Sequence, residues 1–383
     1  MRKRQYMGAI LLGIMVSVAA GCSSSADKSN REGMEKYQSG NYMEASRLFA
    51  QAISQDNDEP EYYVNQGMAD IQLHQCKKAK ENFQRALELE NDSVMAYRGM
   101  GLACLTSGDY DEAIEYFNLA IANADRTVGK LDYDLIGYRA EAEMEAGRYD
   151  DAILSYTQLI DLNVDPMGHY IKRGIVYATR NQMEQALSDF QAAIAEDSDN
   201  YTLYLEIYQS LKRTGDEEDG IDFLNQALSI EPEKSEELAM RGQILVLLGR
   251  QEEAVELFQR AASDGCEEAS FMLARCYEDM GKYGDAEMLY QTLLAKNKES
   301  ATVYNQLAIC KMKQGDYEKA LTMIDQGISM EDPKALCDLY WNEAMVYEAQ
   351  RDYIRAYDKV KEYGERFAFL EDTKKELDFL RTR

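Results

Sequence analysis

The side chains that could do chemistry are few. The 383-residue chain has two histidines, His74 and His169, and seven cysteines. A zinc or other transition-metal site needs several His, Cys or carboxylate ligands at short, recurrent spacings, and neither histidine has such a neighbour. There is no glycine-rich phosphate loop, no H-E-x-x-H and no G-x-S-x-G. Asp150-Asp151 and Glu217-Glu218 are paired acids that could in principle exchange protons with a substrate. Both pairs stand where a helix is expected to begin, and there the helix dipole already accounts for negative charge. The residues therefore predict no catalytic centre, no metal and no cofactor.

The positions left with specific chemistry are Cys22 and the apolar stripes of the helices. Residues 1–22 read MRKRQYMGAILLGIMVSVAAGC. Arg2, Lys3 and Arg4 form a basic start, and the apolar run from Met7 to Ala20 is shorter than the ~20 residues a stable membrane-spanning helix requires. This is the layout of a secretory signal peptide. Its end, Ala19-Ala20-Gly21-Cys22, resembles the bacterial lipobox, although Ala19 stands where that family prefers leucine. The resemblance implies that the Cys22 thiol receives a diacylglycerol and that the peptide is cut before it. It also implies anchoring by more than one acyl chain, which stable membrane attachment requires. Residues 1–21 are then a signal peptide. Residues 22–30, with Ser23-Ser24-Ser25, are the lipidated cysteine and a flexible polar tether.

The rest of the chain repeats itself. Ser39-Gly40-Asn41-Tyr42-Met43-Glu44-Ala45 recurs as Ser107 to Ala113, Ala146 to Ala152, Met280 to Ala286 and Gln314 to Ala320, with weaker copies around Ala79, Ala186, Gly220, Ala254 and Ala356. Successive anchor positions are 34, 34, 39, 34, 34, 34, 32, 34 and 36 residues apart. Each slot has a physical task. Glycine ends one helix in a left-handed conformation, acids open the next, and the alanine permits close helix approach. A large residue follows four places later (Phe49, Phe83, Phe117, Tyr156, Phe190, Leu224, Phe258, Tyr290). A small residue stands twelve places earlier, for example Gly33, Gly67, Gly101, Ala140 and Gly174. The period resembles that of the tetratricopeptide repeat family, with tyrosine (Tyr63, Tyr97, Tyr170, Tyr204) in the family's tryptophan slot. The resemblance implies an all-α fold, a right-handed α-solenoid of about ten helical hairpins over residues 31–370, closed by a capping helix at 371–383. The register breaks twice, by about five extra residues within Asn123–Asp134 and two missing near Ala261–Ala269. Either is an inter-hairpin loop or a boundary.

In that family the first helices line a concave face that commonly takes extended peptides. Carried onto this chain, the inward positions are Glu61, Val64, Met68 and Ile71, then Met95, Arg98, Leu102 and Leu105, then Ile171 and Ile175. Val64 and Met68 fill slots where the family's carboxylate-clamp version carries asparagine and lysine, so that version is not assembled. Among the six remaining cysteines, the repeat geometry separates Cys276 from Cys310, and Cys266 from Cys276, too far for a bridge. Only Cys76 and Cys104 could meet, at the turn end of neighbouring hairpins. The alternative is six small core residues. The formal charge of -27 opposes nucleic acid and anionic lipid surfaces. Contact with a membrane is then expected only through the lipid. Three functions stay open: an extracytoplasmic, membrane-anchored scaffold for a protein or peptide partner, an accessory factor for a cell-envelope enzyme complex, and an enzyme with an unrecognised site. The membrane is the outer face of the cell membrane, or an outer membrane in a two-membrane cell.

Overall fold

The computed structural model describes residues 24–124, 129–296, 300–367 and 371–383. Cys22 and the apolar run before it lie outside the described residues, as does part of the extra segment within 123–134. The chain divides into two compact units that meet at Ser198 and Asp199, at neither of the two register breaks. In the first unit the helices are α1 (Ser25–Gln38), α2 (Tyr42–Gln55), α3 (Pro60–Gln72), α4 (Cys76–Leu89), α5 (Val94–Ser107), α6 (Tyr110–Asn123), α7 (Lys130–Glu145), α8 (Tyr149–Asp161), α9 (Pro166–Thr179) and α10 (Met183–Glu196). The second holds α11 (Tyr201–Thr214), α12 (Glu217–Ala227), α13 (Ser235–Leu247), α14 (Gln251–Ser263), α15 (Glu267–Asp279), α16 (Tyr283–Lys296), α17 (Ala301–Lys313), α18 (Tyr317–Ile328), α19 (Leu336–Ala349), α20 (Tyr353–Phe367) and α21 (Glu371–Arg381). Consecutive helices pair into ten antiparallel hairpins, with α21 left over. No strand occurs among the described residues, and none of their helices is long and apolar enough to cross a membrane.

Every hairpin turns in the same way. The residue five before the anchor has positive φ in all ten hairpins. Glycine holds it in seven, such as Gly40 at φ 79° and Gly108 at φ 85°. After α1 the Gly40 N–H donates to the Tyr37 carbonyl and the Asn41 N–H to the Lys36 carbonyl. This pair of bonds satisfies the last carbonyls of the helix. His74 (φ 58°), Asn181 (φ 56°) and Arg351 (φ 62°) adopt the conformation without being glycine. Their hairpins still close because the same two bonds form: after α3, His74 N–H donates to Ile71 and Gln75 N–H to Asp70.

The two helices of a hairpin are locked by a large residue seated on a small one, sixteen positions apart. A Cβ placed on Gly67 would lie 2.7 Å from the Phe83 ring, and one on Gly242 would lie 2.7 Å from Phe258. Gly33–Phe49, Gly101–Phe117 and Gly174–Phe190 repeat the contact. All five rings are fully buried. Phe83 also abuts Gly99 on α5, so one ring joins its own hairpin to the next. Where the small residue is alanine, its partner is Tyr156, Tyr290, Ile324 or Val360, never phenylalanine. The α11–α12 hairpin inverts the sizes. Tyr208 takes the small slot, Leu224 the large one, and the anchor alanine is replaced by Gly220, whose Cβ would stand 3.0 Å from the Tyr208 ring. Close-packed interiors require such volume matching.

A second set of slots is filled either by apolar residues or by polar ones that satisfy each other. In α5–α6 it holds Met100, Cys104 and Tyr116. In α9–α10, Arg173 donates to both carboxylate oxygens of Asp189 at 2.8 and 2.7 Å. In α7–α8, Ser155 donates to Glu143 at 2.8 Å and accepts from Arg139 at 3.2 Å. Buried polar groups are tolerated when paired in this way.

The array begins before residue 31. Ser24 accepts from the Asp27 N–H, and Asp27 accepts from the Ser24 N–H, forming a capping box. Ala26, Ser29 and Asn30 are buried, so residues 24–30 form the first turns of α1 rather than a tether. At the other end, α21 buries Leu380 and packs Leu377 against Ala344, Ala356 and Val360, covering the apolar face of the last hairpin.

Two outcomes are expected in denaturant titrations. Gly242→Ala destabilises the chain through a clash that costs about 1–3 kcal/mol, partly offset by better helix propensity. Adding Phe258→Ile recovers part of the loss, with a favourable coupling of roughly 0.5–3 kcal/mol. Strict additivity of the two changes would refute the lock. Arg351→Gly, at an exposed left-handed position, stabilises by about 1 kcal/mol. A loss of stability there would mean that the side chain, not the backbone, holds the turn.

Candidate functional site

The first unit contains a cavity of about 490 Å³ between α3 and α5, closed at one side by Tyr37 of α1. Its walls come from two sources. Val64 and Met68 on α3, and Met95 and Arg98 on α5, enter from the helices. Glu59, Pro60, Glu90, Asp92 and Ser93 enter from the turns that precede them. Pro60 fixes the first residue of α3, where its missing N–H costs nothing. Beside the cavity Asn30 Nδ2 donates to Glu61 Oε1 at 3.1 Å, and Asn65 Nδ2 donates to Asn30 Oδ1 at 3.0 Å. These bonds tie α1 to α3 and orient Glu61, which also lines the cavity.

The electrostatics of the site are unbalanced. Arg98 is 2% exposed, yet no carboxylate among the described residues lies within ion-pairing distance of it. Its guanidinium sits 5.4 Å from the centre of the Tyr138 ring, donates one long bond of 3.4 Å to Tyr138 Oη, and leaves Nε buried without a partner. Tyr37 Oη is buried beside the Gln72 amide, which holds its hydroxyl down against the larger raising effect of burial. Burial pushes the Tyr37 hydroxyl up to about 12. Burial, and then the neighbouring Asp56, pushes Glu59 up, and burial raises Glu61 despite the Asn30 bond. The cavity thus holds an arginine without a carboxylate partner at its floor and carboxylates without cations at its rim. A second cavity, of about 480 Å³, lies among α16, α17 and α18. There Lys311 and Glu287 pair at 2.6 Å, so its central charges are already satisfied.

Residues 64–126, 139–201 and 279–336 match models described as tetratricopeptide repeat. The chain is 32% identical over 159 residues to tetratricopeptide repeat protein 36 of Xenopus tropicalis, covering 40% of this chain and 73% of that protein. This chain belongs to the tetratricopeptide repeat family. It is also similar to the tetratricopeptide repeat-containing protein YpiA of Bacillus subtilis, at 23% identity over 59% of this chain, but spans only 52% of that relative's length. Among solved structures it is similar to yeast Tom70 (17% identity, TM-score 0.43, covering 93% of this chain and 88% of that one). It is also similar to a tetratricopeptide repeat protein from Parabacteroides merdae (14% identity, TM-score 0.46, covering 66% and 98%).

Of the inward positions expected from the tetratricopeptide pattern, Glu61, Val64, Met68, Met95 and Arg98 come together in the cavity. The others do not line it. Ile71 and Leu102 are buried in the core and Leu105 packs against it. Ile171 is buried on α9 and Ile175 half-buried. The cavity occupies only the first turns of α3 and α5, so the later positions on each stripe pack against neighbouring helices instead. Helical periodicity could not reveal Glu59, Glu90, Asp92 and Ser93, because turn residues have no place on a helical stripe. Cys76 and Cys104 are not bridged to each other in the structure. Cys104 is fully buried beside Lys80, and burial pushes its thiol up to about 12. His169 Nδ1 meets the Val164 carbonyl at 2.7 Å, and no group of three or more potential metal ligands gathers among the described residues.

Because the folded state raises the Glu61 pKa, ionising this side chain opposes folding. The penalty is absent below the ordinary carboxylate value, grows as pH rises through the window up to the raised value, and is complete above it. Glu61→Gln keeps an oxygen for Asn30 and removes the charge. Thermal melts are expected to show the variant more stable than the parent at pH 7, with the difference shrinking toward pH 4. A variant less stable at pH 7 would show that the charge itself holds α1 to α3.

Proposed function

We propose that the chain is a non-catalytic scaffold, anchored by lipid at Cys22 on the outer side of a bacterial membrane, which captures an extended protein segment between α3 and α5. One observation carries the capture: a cavity at the expected inward positions, lined by the almost fully buried Arg98, whose guanidinium makes one long hydrogen bond of 3.4 Å to Tyr138 Oη and meets no carboxylate within ion-pairing distance among the described residues. Unsatisfied buried polar groups cost free energy, and a bound main chain supplies what they lack. The anchor and the location are supported by the order of basic start, apolar run and Ala19-Ala20-Gly21-Cys22.

Photo-crosslinking in intact cells tests the capture. A photoreactive residue replacing Met95 is expected to give a discrete protein adduct. The same residue replacing Ile354, which is 79% exposed on α20, is expected to give none. Equal adducts from both positions would contradict capture at the cavity. For the anchor, Cys22→Ala should abolish labelling by a fatty-acid probe and release the chain from membranes. Retained labelling would contradict the assignment.

A further inference from the structure

The charges around the cavity specify more than a generic peptide. Four carboxylates, Glu59, Glu61, Glu90 and Asp92, surround one guanidinium, that of Arg98. Asp134 on α7 is near enough for Arg98 to lower its carboxyl against the raising effect of burial. The local balance is negative, so an anionic ligand is repelled despite the arginine. None of the four rim carboxylates has a lysine or arginine partner among the described residues. Glu59, Glu90 and Asp92 are exposed at the turns, and Glu61 is half-buried with the uncharged amides of Asn30 and Asn65 against it.

The floor adds a separate demand. Arg98 lines the cavity while almost completely buried, and its guanidinium has one long hydrogen bond of 3.4 Å, to Tyr138 Oη, and no carboxylate partner among the described residues. A cation alone satisfies the rim and leaves the floor unpaired. A carboxylate satisfies the floor and meets repulsion at the rim. A polypeptide with basic side chains answers both, since a main-chain carbonyl or side-chain carboxamide is an uncharged acceptor only a few ångströms from a lysine or arginine stem.

We propose that this cavity takes a basic polypeptide segment, with an uncharged carbonyl oxygen accepting from Arg98 and an adjacent lysine or arginine against Glu59, Glu61, Glu90 and Asp92. The proposal rests on the peptide-capture reading above and names the chemistry of the captured segment.

Fluorescence anisotropy of the purified full chain tests it with three labelled dodecapeptides. One alternates glutamine with lysine, one glutamine with glutamate, and one glutamine with serine. The glutamine–lysine peptide is expected to bind most tightly. Neutralising two exposed rim charges, Glu90→Gln with Asp92→Asn, should weaken it about fivefold or more. Because the whole chain is acidic, Glu233→Gln with Glu236→Gln serves as a control, removing two exposed charges in the second unit, and should leave the affinity unchanged. Equal loss from both pairs, or equal or tighter binding of the glutamate or serine peptide, would overturn the basic specificity while leaving peptide capture standing. Competition by spermine that matches the glutamine–lysine peptide would overturn the carbonyl contact to Arg98. Binding of none of the three peptides would overturn the capture reading itself.

Discussion

The contact on which the structure depends is a large side chain pressed onto a small one across each hairpin. Its geometry leaves little freedom. Added Cβ atoms at Gly33, Gly67, Gly101, Gly174 and Gly242 would fall 2.5–2.7 Å from a phenylalanine ring, well inside van der Waals contact. The contact sets how closely the two helices approach, and through Gly99 and Phe83 it also sets the distance from one hairpin to the next. The pair varies, as phenylalanine on glycine, as tyrosine or an aliphatic residue on alanine, and as Leu224 opposite Tyr208, where Gly220 replaces the anchor alanine and makes room for the Tyr208 ring. A chain that stacks units has no single core to absorb a misfit, so each hairpin must balance its own volume.

Fixed spacing has a consequence for the cavity in the first unit. The lock places α3 beside α5, and the turns before them carry Glu59 and Pro60, then Glu90 to Ser93, to the same rim. The protein satisfies comparable polar groups elsewhere. Arg173 grips Asp189 with two hydrogen bonds, Ser155 bridges Arg139 to Glu143, and Lys359 reaches Glu343 at 2.9 Å. Arg98 differs from these in having no carboxylate within ion-pairing distance among the described residues, although it is almost completely buried. A buried guanidinium without a carboxylate partner carries a stability cost that a ligand acceptor in the adjoining cavity relieves.

The repeat, the ten hairpins and the closing helix were legible because each rests on a pattern with a fixed physical cause: a left-handed turn, a dipole-facing acid, a small residue under a large one. Three of the turns were legible only in position. His74, Asn181 and Arg351 take the left-handed conformation because their neighbours' bonds impose it, which composition does not announce. The site was half legible. Glu61, Val64, Met68, Met95 and Arg98 follow from helical spacing, whereas Glu59, Glu90 and Asp92 come from inter-hairpin turns outside any period. Ile71, Leu102 and Ile171 share the stripe but are buried, because a stripe shows a direction and not how far the neighbouring helix covers it. The start of α1 was hidden by serines that suit a tether as well as a helix cap. Ser24 becomes a cap because Asp27 stands three residues later and Ala26 and Asn30 find a surface to pack on.

Amide hydrogen exchange of the full chain, with and without the glutamine–lysine peptide, tests the central claim most directly, because it reports where a ligand settles without assuming the site. New protection is predicted in Glu59–Met68 and Glu90–Arg98, with the second unit unchanged. Protection confined to the second unit, or spread evenly along the acidic surface, would contradict the account.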